Sequence, residues 1–154
     1  MHPSVLTPTD LPAPFGRYVL QSILGEGGMA RVFLAELQGP AGFRKTVAVK
    51  VIKEGPISAA PPSALFLQEA RLGGLLHHPN LVDVYELGEE SESWFLSMEW
   101  VQGLNLHELI QQRGPLPPRV LLTVGMGICK GLSSAHDLTV KGQRAGLIHR
   151  DLKP

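Results

Sequence analysis

The chain has 154 residues, an apolar fraction of 44%, and 14 acidic against 14 basic side chains, enough to bury the core of one modest domain and with no net charge to draw it to nucleic acid or an anionic membrane. Its single cysteine, Cys129, excludes a disulfide framework, suits a reducing, cytoplasmic compartment, and reads as a small buried apolar residue in a helical pattern. No stretch approaches the roughly 18 consecutive apolar residues of a membrane span, and the first residues lack the charged-then-apolar layout of a signal peptide.

Residues 1–14 are crowded with Pro3, Thr7, Pro8, Thr9, Pro12 and Pro14, show no periodicity, and read as a disordered leader. Two strand-like runs follow, from Tyr18 to Leu24 and from Arg31 to Leu37, on either side of the glycine cluster Gly25-Glu26-Gly27-Gly28. After the turn Gly39-Pro40-Ala41-Gly42, the β-branched alternation from Thr46 to Ile52 marks a third strand. Beyond a Pro-rich break, Ser63 suits the N-cap of a helix running to about Leu76, which His77-His78-Pro79-Asn80 ends. Two more strands are expected from Leu81 to Leu87 and from Trp94 to Trp100. The signals then turn helical. Asn105 and Glu108 resemble a capping box for a short helix that Gly114-Pro115 stops, and Pro117-Pro118 opens a longer one with Val120, Val124, Ile128 and Leu132 along one face. Five strands with one inserted helix, then helices only, predict an α+β arrangement. There is no internal repeat.

Glycines between two strands let backbone N–H groups approach an anion, although a tight hairpin turn also favours glycine. A dinucleotide fingerprint is disfavoured, because a strand rather than a helix follows the glycines. Alternation on the third strand sets Val47, Val49 and Val51 on one face and Ala48, Lys50 and Ile52 on the other. Both faces are largely apolar. Lys50 is either drawn inside, where an ammonium needs an anion, or snorkels from a strand edge to water. In the following helix Leu65, Glu69, Leu72 and Leu76 share a stripe, so Glu69 is a candidate partner, the alternative being a carboxylate at the margin of the stripe facing solvent. The histidines show no metal-ligand spacing and read as turn or surface residues.

In order along the chain, Gly25-Glu26-Gly27-Gly28-Met29-Ala30-Arg31-Val32 is similar to the glycine-rich loop of the protein kinase family, Val47-Ala48-Val49-Lys50 to the strand carrying its lysine, and Phe66-Leu67-Gln68-Glu69-Ala70 to the helix carrying its glutamate. His78-Pro79-Asn80-Leu81-Val82 resembles the turn after that helix, Met98-Glu99-Trp100-Val101 the link between lobes, and His149-Arg150-Asp151-Leu152-Lys153-Pro154 the start of the catalytic loop. The resemblance runs from about Phe15 to the last residue. Gly-Gly-Met in the loop and a lysine after the aspartate resemble a bacterial serine/threonine kinase rather than a tyrosine kinase. It implies a small antiparallel five-stranded lobe with one helix at 15–98, a link at 99–103, and the first helices of a second lobe at 104–154.

The same resemblance implies roles. The N–H groups of Gly25, Glu26, Gly27, Gly28, Met29 and Ala30 would cover the phosphates of ATP, with Lys50, held by Glu69, on the α- and β-phosphates. Leu24, Val32 and Ala48 would enclose adenine beside the link at Met98, with backbone groups of Glu99 and Val101 bonding it; Asn105 is a candidate for the ribose. Asp151 would accept the proton of a substrate Ser/Thr hydroxyl and Lys153 would offset charge at the transferred phosphoryl, whereas His149 and Arg150 are structural. Ala30 stands where the family has a third glycine, which a negative φ would tolerate. The Mg2+ ligands are expected after Pro154, from an asparagine and an Asp-Phe-Gly segment, so no metal ligand is assigned within the chain.

Three classes of function follow: a serine/threonine kinase domain represented by its N-terminal part, a catalytically inactive truncated kinase acting as a nucleotide-binding or regulatory module, or an incomplete product without a stable fold. Lys50, Glu69 and Asp151, all in place, favour descent from an active enzyme. Residues 1–154 by themselves are expected to be poorly stable and inactive.

Overall fold

The structure, a computed structural model, describes residues 6–28, 30–53 and 64–149, and of Ala64, Leu65 and Glu69 the backbone alone. The chain divides into two compact units, residues 1–75 with 83–100 and residues 76–82 with 101–154. The division at 100/101 falls inside the stretch expected as a link. Residues 76–82, expected with the first lobe, belong to the second unit.

In the first unit the strands are β1 (Ala13–Phe15), β2 (Tyr18–Glu26), β3 (Ala30–Gln38), β4 (Arg44–Ile52), β5 (Val84–Glu90) and β6 (Ser93–Glu99), with α1 (Ala64–Gly73) between β4 and β5. They form one antiparallel sheet in the order β1-β2-β3-β4-β6-β5. The sheet has six strands where five were expected, because the leader contributes β1. From Leu6 onward the proline-rich stretch is part of the fold: Leu6, Ala13 and Phe15 are buried, in one cluster with Tyr18, Leu20, Phe33, Ala35, Val47, Val49, Val51 and Phe95. Its composition misled because a β-edge accepts prolines whose missing N–H faces away from the ladder. Phe95 packs edge-on against Phe15 and Tyr18, with ring centroids 5.3 and 5.4 Å away. Although β1 and β5 end the strand order, the curl of the sheet lets Glu86 of β5 accept hydrogen bonds from Tyr18 Oη and from the Arg17 guanidinium. Burial pulls the Glu86 carboxyl up, but these two donors outweigh it and leave it below its ordinary value.

The opposite face of the sheet carries α1. Phe66, Leu67 and Ala70 pack on Ala30, Ile52, Leu96, Val84 and Met98. Among the described side chains of α1, Phe66 and Ala70 are buried; those of Leu65 and Glu69, from the expected stripe, lie outside the described residues. The helix also stops at Gly73, and a Cβ there would stand 2.9 Å from Val84, so this glycine lets α1 settle on β5. The expected N-cap, Ser63, lies outside the described residues.

In the second unit are α2 (Leu106–Arg113), α3 (Pro118–His136) and a small hairpin of β7 (Thr139–Val140) and β8 (Gln143–Arg144). The capping box of α2 forms as expected: Asn105 Oδ1 accepts from the Glu108 N–H at 2.8 Å, and Glu108 Oε2 from the Asn105 N–H at 3.1 Å. The hairpin was not anticipated, although Lys141 and Gly142, with φ of 51° and 79°, suit a tight two-residue turn. The segment 76–82 seats on α3 through small residues. Ala135 and Gly131 are buried, and a Cβ at Gly131 would lie 2.8 Å from the Asn80 carbonyl oxygen. The stripe expected to be the inner face is only partly covered, Val120 and Ile128 being 40% and 42% exposed. Cys129 is likewise exposed rather than buried, for it points away from that seat. None of the helices among the described residues is long and apolar enough to cross a membrane.

Two helix glycines give a direct check. Gly131→Ala must push the Asn80 carbonyl aside and is expected to destabilise the protein by about 1–3 kcal/mol. Gly125→Ala, with nothing within 4 Å of the new Cβ, should stabilise α3 by about 0.5–1 kcal/mol through helix propensity. Chemical denaturation of both variants in which Gly131→Ala proves the more stable would contradict this packing.

Candidate functional site

The register of the sheet decides which side chains share a surface. Across β3, β4 and β6, Val32 pairs with Lys50 and Lys50 with Leu96, while Leu34 pairs with Ala48 and Ala48 with Met98. Directly opposed residues project to the same side, so Val32, Ala48, Lys50 and Met98 stand together on the face that bears α1. Ala48 is buried, and Val32, Lys50 and Met98 are partly so. The valines at 47, 49 and 51 fill the other core, as the alternation on β4 predicts. Lys50 thus occupies an apolar face, where an ammonium needs an anionic counterpart. The side chain of Glu69 lies outside the described residues, as do Met29, Asp151 and Lys153.

The glycine turn joins β2 to β3 beside this surface, with Gly25 opposite Val32. The register slips between Ile23 and Gly25, leaving Leu24 as the extra residue of a β-bulge, 47% exposed. Bulges of this kind re-aim a side chain and gather next to active sites. A Cβ added at Gly25 or Gly28 would meet nothing within 4 Å, and at Gly27 only the Ala30 carbonyl oxygen at 3.8 Å. None of the three has φ in the left-handed region. Neither crowding nor backbone strain among the described residues calls for glycine there, and a turn without Cβ atoms leaves its backbone N–H groups open to close approach. Ala30, in place of a third glycine, has no positive φ and is buried under α1. The methyl is accommodated, as a negative φ requires.

At the end of β6 the Glu99 N–H donates to the Asp83 carbonyl at 2.8 Å, and Glu99 Oε2 accepts from the Asp83 N–H at 3.3 Å. Val101 and Asn105 belong to the second unit and are exposed. The Asn105 side-chain oxygen is occupied in capping α2, which leaves its amide group as the one able to meet a ligand.

The model of the protein kinase domain matches residues 18–154. The chain belongs to the protein kinase family. Among curated proteins it is 36% identical to the tyrosine-protein kinase MasK of Myxococcus xanthus over 92% of this chain, and 34% identical to the serine/threonine-protein kinase PrkC of Bacillus subtilis over 90%. It spans 23% and 20% of the lengths of these two relatives. The solved kinase domain of Mycobacterium tuberculosis PknI matches with a TM-score of 0.70 at 28% identity, over 97% of this chain and 55% of that one. The sheet and α1 are thus the smaller, N-terminal kinase lobe in antiparallel form with few helices, and α2 and α3 open the second lobe.

Reading the motifs did not single out Leu6, Arg31 and Lys53, which gather around the loop residue Glu26. Glu26 Oε1 accepts from Arg31 at 2.9 Å and from Lys53 at 2.6 Å, and the other end of the Arg31 guanidinium donates to the Leu6 carbonyl. Opposite charges at Glu26 and Arg31, flanking the glycines, were the available signal.

Proposed function

We propose that this chain carries the ATP-binding half of a bacterial serine/threonine protein kinase, which transfers the γ-phosphoryl group of ATP to a protein hydroxyl in the cytoplasm. The observation that carries the reading is the glycine turn, empty where side chains would stand and free of strain, beside an apolar surface that holds Lys50. Backbone N–H groups of the turn would cover the phosphates, and Lys50 would meet the α- and β-phosphates, with Glu69 as its counter-ion. Leu24, Val32, Ala48 and Met98 would form the apolar wall for adenine. Because the Glu99 N–H is taken by Asp83, the adenine bond assigned to its backbone falls to the carbonyl, with Val101 supplying the N–H. Asp151 would take the proton of the substrate hydroxyl as the oxygen attacks, and Lys153 would balance charge on the moving phosphoryl. Magnesium, for which no ligand is assigned among the residues of this chain, would neutralise the phosphate oxygens. Serine or threonine as acceptor is supported by Lys153 after Asp151 and by the relatives named as serine/threonine kinases. The cytoplasmic placement rests on ATP as substrate and on the lone cysteine.

Gly27→Val tests this reading directly. The new side chain enters open space, so the melting temperature should stay close to that of the parent, within the roughly 0.5 kcal/mol typical of surface changes, while affinity for an ATP analogue falls at least about tenfold. Unchanged affinity would remove the phosphate role of the turn, and with it the main support for the function.

A further inference from the structure

The emptiness around Gly25, Gly27 and Gly28 raises the question of what holds the turn in place. Among the described residues side-chain packing does not, and within the turn the Gly27 N–H bonds the Ala30 carbonyl at 2.9 Å. A side-chain anchor among the described residues is Arg31. It stands opposite Glu26 across the turn and opposite Val51 on β4, which puts it on the face of the sheet away from Lys50. Its side chain is only 12% exposed, and its Nε is buried without a partner among the described residues. Among the described residues the two ends of the guanidinium carry the compensation for burying a cation, and each end ties a different segment. One grips Glu26 on the rising arm of the turn, the other the main chain of Leu6, itself 5% exposed in the back core. Lys53, just past β4, closes the arrangement on the same Glu26 oxygen.

We propose that Arg31 is a positioning residue for the phosphate-covering turn, clamping Glu26 to the buried N-terminal segment at Leu6 so that the turn is pre-set before nucleotide arrives. The inference rests on the reading of that turn as a nucleotide site and adds a residue that positions it. Pre-setting a glycine turn removes conformational entropy that ATP binding would otherwise have to supply, so the clamp acts on affinity and not on the chemical step. Hydrogen bonds from Arg31, then Lys53, hold the Glu26 carboxyl down to about 2. It is therefore charged at neutral pH and able to accept from both donors.

The test uses the protein as its gene encodes it, with Arg31→Gln, Arg31→Lys, Glu26→Gln and the double variant Arg31→Gln with Glu26→Gln. Arg31→Gln should raise KM for ATP, and Kd for a non-hydrolysed ATP analogue, about five- to tenfold, with kcat within about twofold. Arg31→Lys keeps the charge but cannot span both partners and should lie between Arg31→Gln and the parent. The double variant should be no worse than Arg31→Gln, since both changes open one clamp. Additive effects, an unchanged KM, or a kcat that falls in step with a lower melting temperature would each overturn the proposal. A parent protein that binds ATP normally beside an equally tight Arg31→Gln variant defeats the clamp alone; a parent with no affinity for ATP defeats the nucleotide reading as well.

Discussion

Lys50→Met, made in the protein as its gene encodes it, should lower phosphoryl transfer by about 10²–10³-fold, the loss seen when one pre-set electrostatic contact is removed from a transition state. Lys50 is held by its register between Val32 on β3 and Leu96 on β6, on a face whose other residues form the apolar core beneath α1. Methionine matches the aliphatic stem and loses only the ammonium, so the sheet should stay intact, while the carboxylate proposed as its counter-ion is left unpaired and the melting temperature should fall. The measurement is phosphate incorporation from γ-labelled ATP, with circular dichroism melts on the same preparations. Full incorporation by Lys50→Met would show that the lysine is structural and that a different cation handles the phosphates.

Asp151→Asn is the second large effect. On the proposed reading the aspartate would act on the acceptor hydroxyl, whereas nucleotide would be gripped by the turn, Lys50 and the link after β6, so the two functions would belong to different parts of the chain. The amide cannot take a proton, and kcat should drop by about 10²–10⁴-fold, the range for a lost general base. Affinity for ATP should remain within about twofold, because no contact to nucleotide is assigned to this side chain. Equal losses in ATP affinity and in turnover would place Asp151 among the nucleotide ligands.

Local patterns were legible where one element carried its own instructions. The alternation from Thr46 to Ile52 identified both faces of β4, and thereby Lys50 as the charged residue on an apolar surface, because a strand's period of two does not depend on its neighbours. Asn105 and Glu108 specified the start of α2 for the same reason: a capping box satisfies its own N–H groups within a few residues. The glycine turn was visible too, and the structure adds open space and relaxed backbone at Gly25 and Gly27.

What the sequence determined by itself was the set of motifs, the helix and strand types, and hence the family. Tertiary structure decided which surfaces meet. The prolines of the leader did not disclose that Leu6 and Phe15 complete the back core, since the apolar surface that orders them is built by β2, β3, β4 and β6. In α1 the described side chains that seat on the sheet are Phe66, Leu67 and Ala70, and the missing Cβ of Gly73 permits close approach to β5, a contact that leucine spacing does not mark. For α3 the seat for Asn80 and Leu81 is Gly131, and no hydropathy pattern marks a contact made by a missing Cβ. The Arg31 clamp is of the same kind. Its partners stand at positions 6, 26 and, through Glu26, 53, and only the register of three strands and a folded leader brings one guanidinium within reach of both its anchors.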